Sequence, residues 1–491
     1  MINLTFEQSV RLGFRYVLEA LSPCSPYGRG LVRQLQPFGL GESAALEAEL
    51  DNVAGAIRAR PRCQTAWARL ESGLSQLKDI TRTVEKCGGD TALDEVELFE
   101  LKRLLIQLSE LRPYFEEIEI AADGFTGMAL PDTLYALDIL DPEGSRVAGF
   151  HISGRYSEAL AAARREKRAL DDALRASGGP DGVARAARRQ EVVALEAREE
   201  LAVCTALTAR LGPWREALLA CCATLGRLDV TLQKAKLALK YGGCRPQIGG
   251  RGVAFTGMVN PQLVDRLEAE GKAFTPITLA LGPGVTVITG SNMGGKSVAL
   301  KTLALNVMAV SCGFFAFAEV ARMPLFERLD MLSDDLEDSA RGLSTFGGEV
   351  AALKGILDAA DRGGALVLLD EFARGTNPHE GAAMARAVAR YLDERPVICA
   401  MATHYDGVAR VASAHYQVAG LRGLDVAALE AELAGLSGAD GVALIAKHMD
   451  YGLYPVAGHA SLPRDAINIC RLLGLRSEVL ALAEGDLEEQ L

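Results

Sequence analysis

Apolar residues recur at helical spacing through the first part of the chain, from Phe6 to about Ile120. The clearest stretch, VELFELKRLLIQLSELRPYFEEI, places its leucines and isoleucines three and four residues apart, which is typical of amphipathic helices. Glycine and proline are sparse there, so few breaks interrupt the pattern. This part of the chain is predicted to be a succession of helices.

The pattern changes between Gly124 and Phe150. Short apolar runs are broken there by Pro131 and by the dipeptide Asp141-Pro142. Proline and glycine at these intervals are typical of turns, and apolar runs of this length suit strands. The segment is predicted to consist of turns with up to two strands.

A segment rich in alanine, arginine and glutamate extends from Arg155 to about Glu200 and is interrupted once, at residues 177–180. It predicts an antiparallel helical hairpin, followed by a further helix through Leu239. The near balance of charges is typical of a solvated helix pair. A contact with nucleic acid or a protein partner is the alternative for its basic cluster, Arg164, Arg165, Lys167 and Arg168.

Beyond Pro246 the chain alternates between glycine-rich turns, β-rich runs and helical stretches. The runs VTVITG, ALVLLDE and VICAMATH are continuously apolar, which is typical of strands buried on both faces. Such strands separated by helices predict a parallel sheet covered by helices. The predicted fold class is therefore α + α/β, with an all-helical N-terminal part and a C-terminal parallel sheet flanked by helices.

Composition narrows the class of protein further. With 491 residues, 49% of them hydrophobic and 24% charged, the chain can bury the cores of two or three domains. Its apolar runs fall far short of the roughly 20 residues that span a bilayer, and Glu7, Arg11 and Arg15 interrupt the N-terminal segment. We therefore expect a cytoplasmic protein without a membrane segment.

Cysteine usage and net charge exclude few further classes of protein. The ten cysteines form no CxxC pair, so most of them are expected to be reduced core residues. A net charge of −12 disfavours diffuse attraction to nucleic-acid phosphates but leaves room for a local basic groove.

The strand predicted at residues 285–289 runs into GSNMGGKS (290–297), which matches the phosphate-binding pattern G-x-x-x-x-G-K-[ST] and precedes a helical stretch. Its glycines allow backbone N–H groups to surround phosphates, and the helix points its N-terminus at them. Lys296 would bind the β- and γ-phosphates of ATP, and Ser297 would bind Mg²⁺. The predicted nucleotide-binding residues are Gly290, Asn292, Met293, Gly294, Gly295, Lys296 and Ser297.

A second element, ALVLLDEFARGTNPHEG, delivers Asp370 and Glu371 to the carboxyl end of a buried strand, where ligands bind in such sheets. Asp370 suits the ligand shell of Mg²⁺. Glu371 suits the polarisation of the water that attacks the γ-phosphate.

Two further segments supply polar groups that suit the same site. LSTFGGE (343–349) offers the Ser344 and Thr345 hydroxyls, and ATHYD (402–406) places His404 after an apolar strand, where it could sense a γ-phosphate. By themselves a serine here is usually a helix cap and a histidine a satisfied core or surface residue. Beside the phosphate loop, Ser344 and His404 join Glu371 as predicted catalytic residues.

These four segments resemble the signatures of the MutS family of ATPases. GSNMGGKS is similar to that family's GPNMGGKS, GLSTFGGE to RSTFxxE, LLDEFARGT to LLDEIGRGT, and ATHY to ATHY. Weaker similarity extends over SPYGRGLVRQLQPF, LGRLDVTLQKAKLALKYGGCRPQI and DYGLYPVAG. The resemblance spans roughly Leu21 to Leu475 and is dense only around the four signatures.

The resemblance implies a composite site in a homodimer, or in a heterodimer with a related subunit. Ser344 of one protomer would reach the γ-phosphate bound by the other, and the site would convert ATP and water to ADP and phosphate with Mg²⁺. The implied domains are a helical core and lever (1–150), a short clamp-like hairpin (151–205), a returning lever helix (206–248), an ABC-ATPase-like P-loop domain (249–480) and a tail (481–491). ATP state would be transmitted along the lever to the clamp.

The chain also departs from the family pattern. It begins at the helical core, so we expect the mismatch-reading and connector domains to be missing and do not expect direct mismatch recognition. Ser291 replaces the usual proline of the phosphate loop. ARGTNPHEG resembles the branch that lacks mismatch domains, although we expect this chain to lack a nuclease-like C-terminal extension.

Two functions from different classes remain open, besides a non-hydrolysing structural relative. The first is a DNA-binding ATPase of the repair and recombination type. The second is a protein-remodelling ATPase that reactivates an adenosylcobalamin-dependent aminomutase of the lysine 5,6-aminomutase type. KHMDYGLYPV and LPRDAINICRLLGL resemble segments of short MutS-like proteins that are associated with the second function.

Overall fold

The computed structural model describes residues 5–147, 149, 151–176, 181–290, 295–333, 345–420, 429, 432–433, 444–445, 448–456 and 465–489. The chain forms two compact units. The sheet unit comprises Met1–Leu21, Gln36–Val53 and Lys234–Leu491, and the helical unit comprises Ser22–Leu35 and Ala54–Gln233. The five-part division implied by the family resemblance stays a prediction.

The helices of the described residues are distributed along the whole chain. They are α1 (Phe6–Leu12), α2 (Phe14–Ala20), α3 (Pro26–Arg33), α4 (Ser43–Ala59), α5 (Gln64–Ser75), α6 (Thr81–Glu85), α7 (Glu95–Ala121), α8 (Leu134–Leu140), α9 (Glu158–Ala176), α10 (Asp181–Leu211), α11 (Arg215–Lys240), α12 (Pro261–Ala269), α13 (Lys296–Ser311), α14 (Thr345–Ala360), α15 (Pro378–Asp393), α16 (Asp465–Leu472) and α17 (Ser477–Glu489). Among the described residues, no helix is long and apolar enough to cross a membrane.

The succession of helices predicted from Phe6 to about Ile120 is confirmed by α1 to α7. Helix α7 shows why the sequence folds this way. Its N-cap Asp94 accepts the Glu97 N–H at 2.8 Å, while the Glu97 side chain accepts the Asp94 N–H at 3.1 Å. This reciprocal pair satisfies two backbone donors that a helix start leaves open. The leucines of the periodic stretch, Leu98, Leu101, Leu104, Leu105, Leu108 and Leu111, are all buried.

Between Gly124 and Phe150 the predicted turns are confirmed, at residues 126–127 and 142–143, but the prediction of up to two strands is wrong. The described residues of this segment contain helix α8 and no strand. Ala136, Leu137 and Leu140 are buried along it, because this spacing places their side chains on one helical face. The apolar runs are too short for periodicity alone to separate a strand from a buried helix.

The predicted hairpin is confirmed by α9 and α10, which run antiparallel. Arg164 lies 2.8 Å from Glu200 and Asp171 lies 2.6 Å from Arg189, so residues later in α9 pair with residues earlier in α10. Of the basic cluster, Arg164 and Lys167 pair with Glu196 of the facing helix, whereas Arg165 and Arg168 are exposed. The pairing satisfies half of the cluster within the hairpin itself.

The strands of the described residues all belong to the sheet unit and form two sheets. They are β1 (Gln247–Ile248), β2 (Val253–Met258), β3 (Ile277–Leu281), β4 (Gly284–Thr289), β5 (Val320–Met323), β6 (Arg328–Leu332), β7 (Ala365–Asp370), β8 (Ile398–Ala402), β9 (Ala414–Gly420) and β10 (Asp450–Pro455). The small sheet has the order β1-β5-β2-β3, and the large sheet has the order β10-β9-β4-β8-β7-β6.

The large sheet is parallel except for β10, which pairs antiparallel with β9 at one edge. Strands β4, β7 and β8 are buried along their whole length. Alternate residues such as Val285, Val367 and Cys399 pack with α14 and α15 in one apolar core. The predicted parallel sheet flanked by helices, and with it the α + α/β class at this level, is confirmed.

A buried ion pair fixes one end of α8 in the helical unit. Lys102 Nζ lies 3.1 Å from Asp141 Oδ1, and both side chains are less than a tenth exposed. Asp141 also accepts hydrogen bonds from the Arg146 N–H at 2.7 Å and the Ser145 hydroxyl at 2.9 Å. Burial by itself would raise the pKa of Asp141, but these hydrogen bonds and Lys102 outweigh it and lower the pKa from 3.8 to about 2.

We expect Asp141→Asn to destabilise the helical unit by roughly 3 kcal/mol at pH 7, because it leaves the Lys102 ammonium buried without a counter-charge. A carboxyl whose folded pKa lies below its unfolded value stabilises above that unfolded value. The loss of unfolding free energy in the variant, relative to wild type, should therefore be complete above about pH 4. It should shrink as the pH falls toward 2, where Asp141 of the wild type becomes protonated.

Urea unfolding followed by tryptophan fluorescence measures this, since both tryptophans, Trp67 and Trp214, belong to the helical unit. Asp138→Asn is the matched control, because Asp138 is exposed on the same helix and its ion pair with Arg146 should contribute less than about 1 kcal/mol. Equal stabilities of the two variants at pH 7 would contradict the assignment.

Candidate nucleotide-binding site

The sheet order aligns the ends of three strands that carry predicted site residues. Strand β8 lies between β4 and β7, and Ala402 is the register partner of both Ile288 and Asp370. Because the three strands are parallel and level at these residues, the segments that follow them emerge at one carboxyl edge. Gly290, the Asp370-Glu371 pair and His404 are thereby gathered at the edge where ligands bind in such sheets.

Lys296 is the first residue of α13, and its side chain lies in the interior at 3% exposure. Its Nζ donates to the Gly290 carbonyl oxygen at 2.8 Å and lies 3.4 Å from Glu371 Oε1. Burial lowers the pKa of Lys296, and the Glu371 carboxylate opposes that shift. The structure thus brings Glu371 beside Gly290 and Lys296 of the phosphate-loop motif, from which it is distant in sequence.

Glycine is required at both described ends of the phosphate loop. Gly290 has φ +142° and Gly295 has φ +84°, values that favour residues without a Cβ. A Cβ at Gly290 would lie 2.9 Å from the Val418 Cβ, and one at Gly295 would lie 3.1 Å from the Tyr451 Cδ1. Tyr451 of β10 therefore borders the loop, a placement that sequence reasoning missed.

Glu371 follows β7 in a left-handed conformation, with φ +50°, and is 7% exposed. Its N–H donates to the Ala402 carbonyl at 2.9 Å, which ties the turn to β8. Its two carboxylate oxygens face different cations, Oε1 facing Lys296 and Oε2 lying 3.3 Å from Arg374 Nη1. A left-handed glutamate is uncommon, and such backbone strain clusters at functional sites.

Two residues that sequence reasoning missed support the turn after Glu371. Glu349 of α14 accepts the Ala373 N–H through Oε2 at 2.9 Å, and the Tyr405 hydroxyl donates to the Ala373 carbonyl at 2.8 Å. Both belong to segments already singled out, STFGGE and ATHYD. A polar residue one turn into a helix, and another directly after His404, were signals available in the sequence.

His404 follows β8 and is half-buried. The preceding residue, Thr403, donates its N–H to the Ile288 carbonyl at 3.0 Å, so this loop is fixed to the end of β4. The Nδ1 atom of His404 is buried and has no hydrogen-bond partner among the residues that the structure describes. Burial lowers the pKa of His404 below 6.5, so the imidazole is neutral at pH 7.

The predicted magnesium ligands lie on the same elements. Asp370 is the last residue of β7 and buried, and Ser297 is the second residue of α13 and half-buried. In the described part of the chain no cluster of three or more His, Cys, Asp or Glu residues could hold a metal ion. One carboxylate and one hydroxyl fit Mg²⁺, which binds few protein groups and takes its other ligands from phosphates and water.

The remaining predicted site residues lie outside the described residues. They are Asn292, Met293 and Gly294 of the phosphate loop, and Ser344 of the LSTFGGE segment.

The sequence matches known proteins over this site and beyond it. Residues 286–473 match the family model for MutS domain V. The chain is 30% identical over 388 residues to the DNA mismatch repair protein MutS 2 of Haloarcula marismortui, with 74% of this chain and 37% of that protein covered. It is 35% identical over 311 residues to the DNA mismatch repair protein MutS of Thermus thermophilus, with 62% of this chain and 36% of that protein covered. It is 37% identical over 192 residues to the endonuclease MutS2 of Carboxydothermus hydrogenoformans, with 38% and 24% covered.

The chain spans about a third of the length of the first two relatives, 37% and 36%. The domain V match includes Lys296, Glu371 and His404, the described residues that meet at the carboxyl edge of the large sheet. It also includes Ser344. On these matches, the chain belongs to the MutS family.

Proposed function

We propose that this chain is a Mg²⁺-dependent ATPase with a P-loop site, and that a dimer of it uses ATP hydrolysis as a conformational switch on DNA. The observation that supports it best is the buried Lys296 ammonium, held between the Gly290 carbonyl and the Glu371 carboxylate. A buried ammonium is costly unless it is paired. Its partners hold the ammonium at the start of α13, and helix N-termini bind phosphates. The negative charge of a polyphosphate can therefore balance the charge of Lys296 in place of Glu371.

In the proposed reaction, an oxygen of water attacks the γ-phosphorus of ATP, the bond from that phosphorus to the bridging oxygen breaks, and ADP leaves. Lys296 binds the β- and γ-phosphate oxygens and withdraws toward them from Glu371. The Glu371 carboxylate then orients the water and accepts its proton. When bound through Ser297 and Asp370, Mg²⁺ neutralises charge that develops on the phosphate oxygens.

His404 is proposed to sense the γ-phosphate. Its imidazole is neutral at pH 7, so Nδ1 can donate or accept according to the tautomer that the site selects. A buried nitrogen that lacks a partner among the described residues is available to a ligand oxygen. Ser344 is proposed to complete the site of the partner protomer.

DNA as the substrate of the switch is proposed from the relatives, two of which are named DNA mismatch repair proteins and one an endonuclease. The α9–α10 hairpin is the proposed clamp. Its exposed Arg165 and Arg168 are the members of the basic cluster that remain on the surface.

Lys296→Ala should abolish ATP binding, because the phosphates lose the cation at the start of α13. The measurement is the affinity for a fluorescent ATP analogue. Lys354→Ala is the control, since Lys354 is an exposed lysine of the same unit and lies 3.8 Å from the exposed Asp358 on its own helix. An unchanged affinity in Lys296→Ala would rule out this placement of the site.

Glu371→Gln should preserve ATP affinity and lower turnover by about two to four orders of magnitude, because the amide keeps the shape of the side chain but accepts no proton. ATP should then hold the dimer together, which light scattering with and without ATP can show. Glu327→Gln is the control, since Glu327 is exposed and precedes β6 at the amino edge of the same sheet. Wild-type turnover in Glu371→Gln would assign the base to another residue, with His404 next.

Duplex or branched DNA should change the steady-state ATP turnover of the wild-type chain by at least about threefold, since a switch must bind its substrate differently in its two states. Heparin at equal charge is the control for diffuse electrostatic effects. If DNA neither binds nor changes turnover while ATP hydrolysis is intact, the DNA assignment is contradicted and a client protein such as an aminomutase is favoured.

A further inference from the structure

We infer that Glu349 and Tyr405 are positioning residues, which aim the Glu371 carboxylate by holding the main chain of residue 373 from two sides. The inference rests on the proposed ATP hydrolysis, in which Glu371 orients the attacking water. Neither residue is assigned a contact with ATP.

The turn that they hold is buried and strained. Glu371 and Ala373 both have left-handed backbones, with φ +50° and +68°. Phe372 and Ala373 are 2% and 0% exposed and belong to the apolar core beneath the sheet edge. Two left-handed residues within three positions persist only where the surroundings determine the conformation.

Both polar groups of the Ala373 backbone need protein partners, since water cannot reach them. The Glu349 carboxylate, itself 5% exposed, accepts the N–H at 2.9 Å, and the Tyr405 hydroxyl donates to the carbonyl at 2.8 Å. One partner comes from α14 and the other from the loop after β8. The orientation of the peptide is therefore fixed by two elements that are remote from each other in sequence.

The close approach of Tyr405 has its own requirement in the sequence. A Cβ at Gly381 would lie 2.4 Å from the Tyr405 hydroxyl and 2.9 Å from the Ala373 carbonyl oxygen. Glycine at the start of α15 thus leaves room for this hydrogen bond. Gly381→Ala is a way to displace Tyr405 without altering its chemistry.

The decisive comparison is Glu349→Leu against Glu349→Gln. Leucine removes the acceptor, so the turn should relax and turnover should fall about 100-fold, the effect of moving a catalytic group by about 1 Å. Glutamine keeps a carbonyl oxygen that can accept the Ala373 N–H, so turnover should stay within about threefold of wild type. ATP affinity should stay within about threefold in both variants, since Lys296 is untouched.

Three outcomes with folded variants would overturn the inference. Wild-type turnover in Glu349→Leu would show that the turn does not need this partner. Equal loss in Glu349→Gln and Glu349→Leu, or a loss of ATP affinity that matches the loss of turnover, would assign Glu349 a charge or binding role instead. Asp358→Leu is the matched control, an exposed carboxylate on the same helix.

If Glu349→Leu fails to fold, Tyr405→Phe and Gly381→Ala decide the question. Each should lower turnover about tenfold with ATP affinity retained, and unchanged turnover in both would overturn the inference. Tyr416→Phe is the matched control, because its hydroxyl accepts a 3.3 Å hydrogen bond from the Ala280 N–H away from the turn.

Hydrogen exchange separates failure of this inference from failure of the proposed function. Peptides that cover residues 371–375 should exchange faster in Glu349→Leu than in wild type, whether or not ATP is hydrolysed. A wild-type chain that does not hydrolyse ATP would contradict the proposed function and leave the exchange measurement standing. Unchanged exchange together with unchanged turnover would contradict the inference alone.

Discussion

The burial of one ammonium group, that of Lys296, determines which strand ends must lie together in the site. Lys296 is almost completely enclosed, and an unpaired charge there would cost several kcal/mol. Its partners, Gly290 and Glu371, come from segments that follow β4 and β7, so the charge is stable only if those strand ends lie at one edge. The placement of β8 between them, with Ala402 level with both Ile288 and Asp370, provides that alignment.

This constraint also explains where the sequence was informative and where it was not. The apolar runs and the G-x-x-x-x-G-K-[ST] pattern were enough to predict the parallel sheet, because both are local features with a definite physical meaning. Helix α8 was missed because Ala136, Leu137 and Leu140 occupy a run too short to show a period. The strand order could not be predicted either, since nothing in the sequence of β8 indicates that it lies between β4 and β7.

Within the site, the sequence predicted residues with reactive side chains and missed those that act on the backbone. Lys296, Glu371 and His404 were identified from motifs whose chemistry is explicit. Glu349 and Tyr405 were not, because their hydrogen bonds end on the main chain of Ala373, a residue with no reactive group. Their places in the STFGGE and ATHYD segments marked them as candidates, but predicting their hydrogen bonds to Ala373 would have required the left-handed turn, which no residue type at 371 or 373 indicates.

In the proposed dimer, the same turn would give α14 a role in both ATP sites. Helix α14 begins at Thr345, the residue after Ser344, and its buried Glu349 holds the turn that carries Glu371 of the same chain. If Ser344 reaches the nucleotide of the partner, as proposed, then a shift at the start of α14 would also move Glu349, one turn later. Glu349 holds the turn that carries Glu371, so the shift would reach the proposed general base of the chain's own site. A core packed around Phe372 and Ala373 resists gradual deformation, so such a shift would switch the turn between discrete positions. The coupling between the two ATP sites would then pass through only the first turn of α14 and the hydrogen bond from the Ala373 N–H to Glu349.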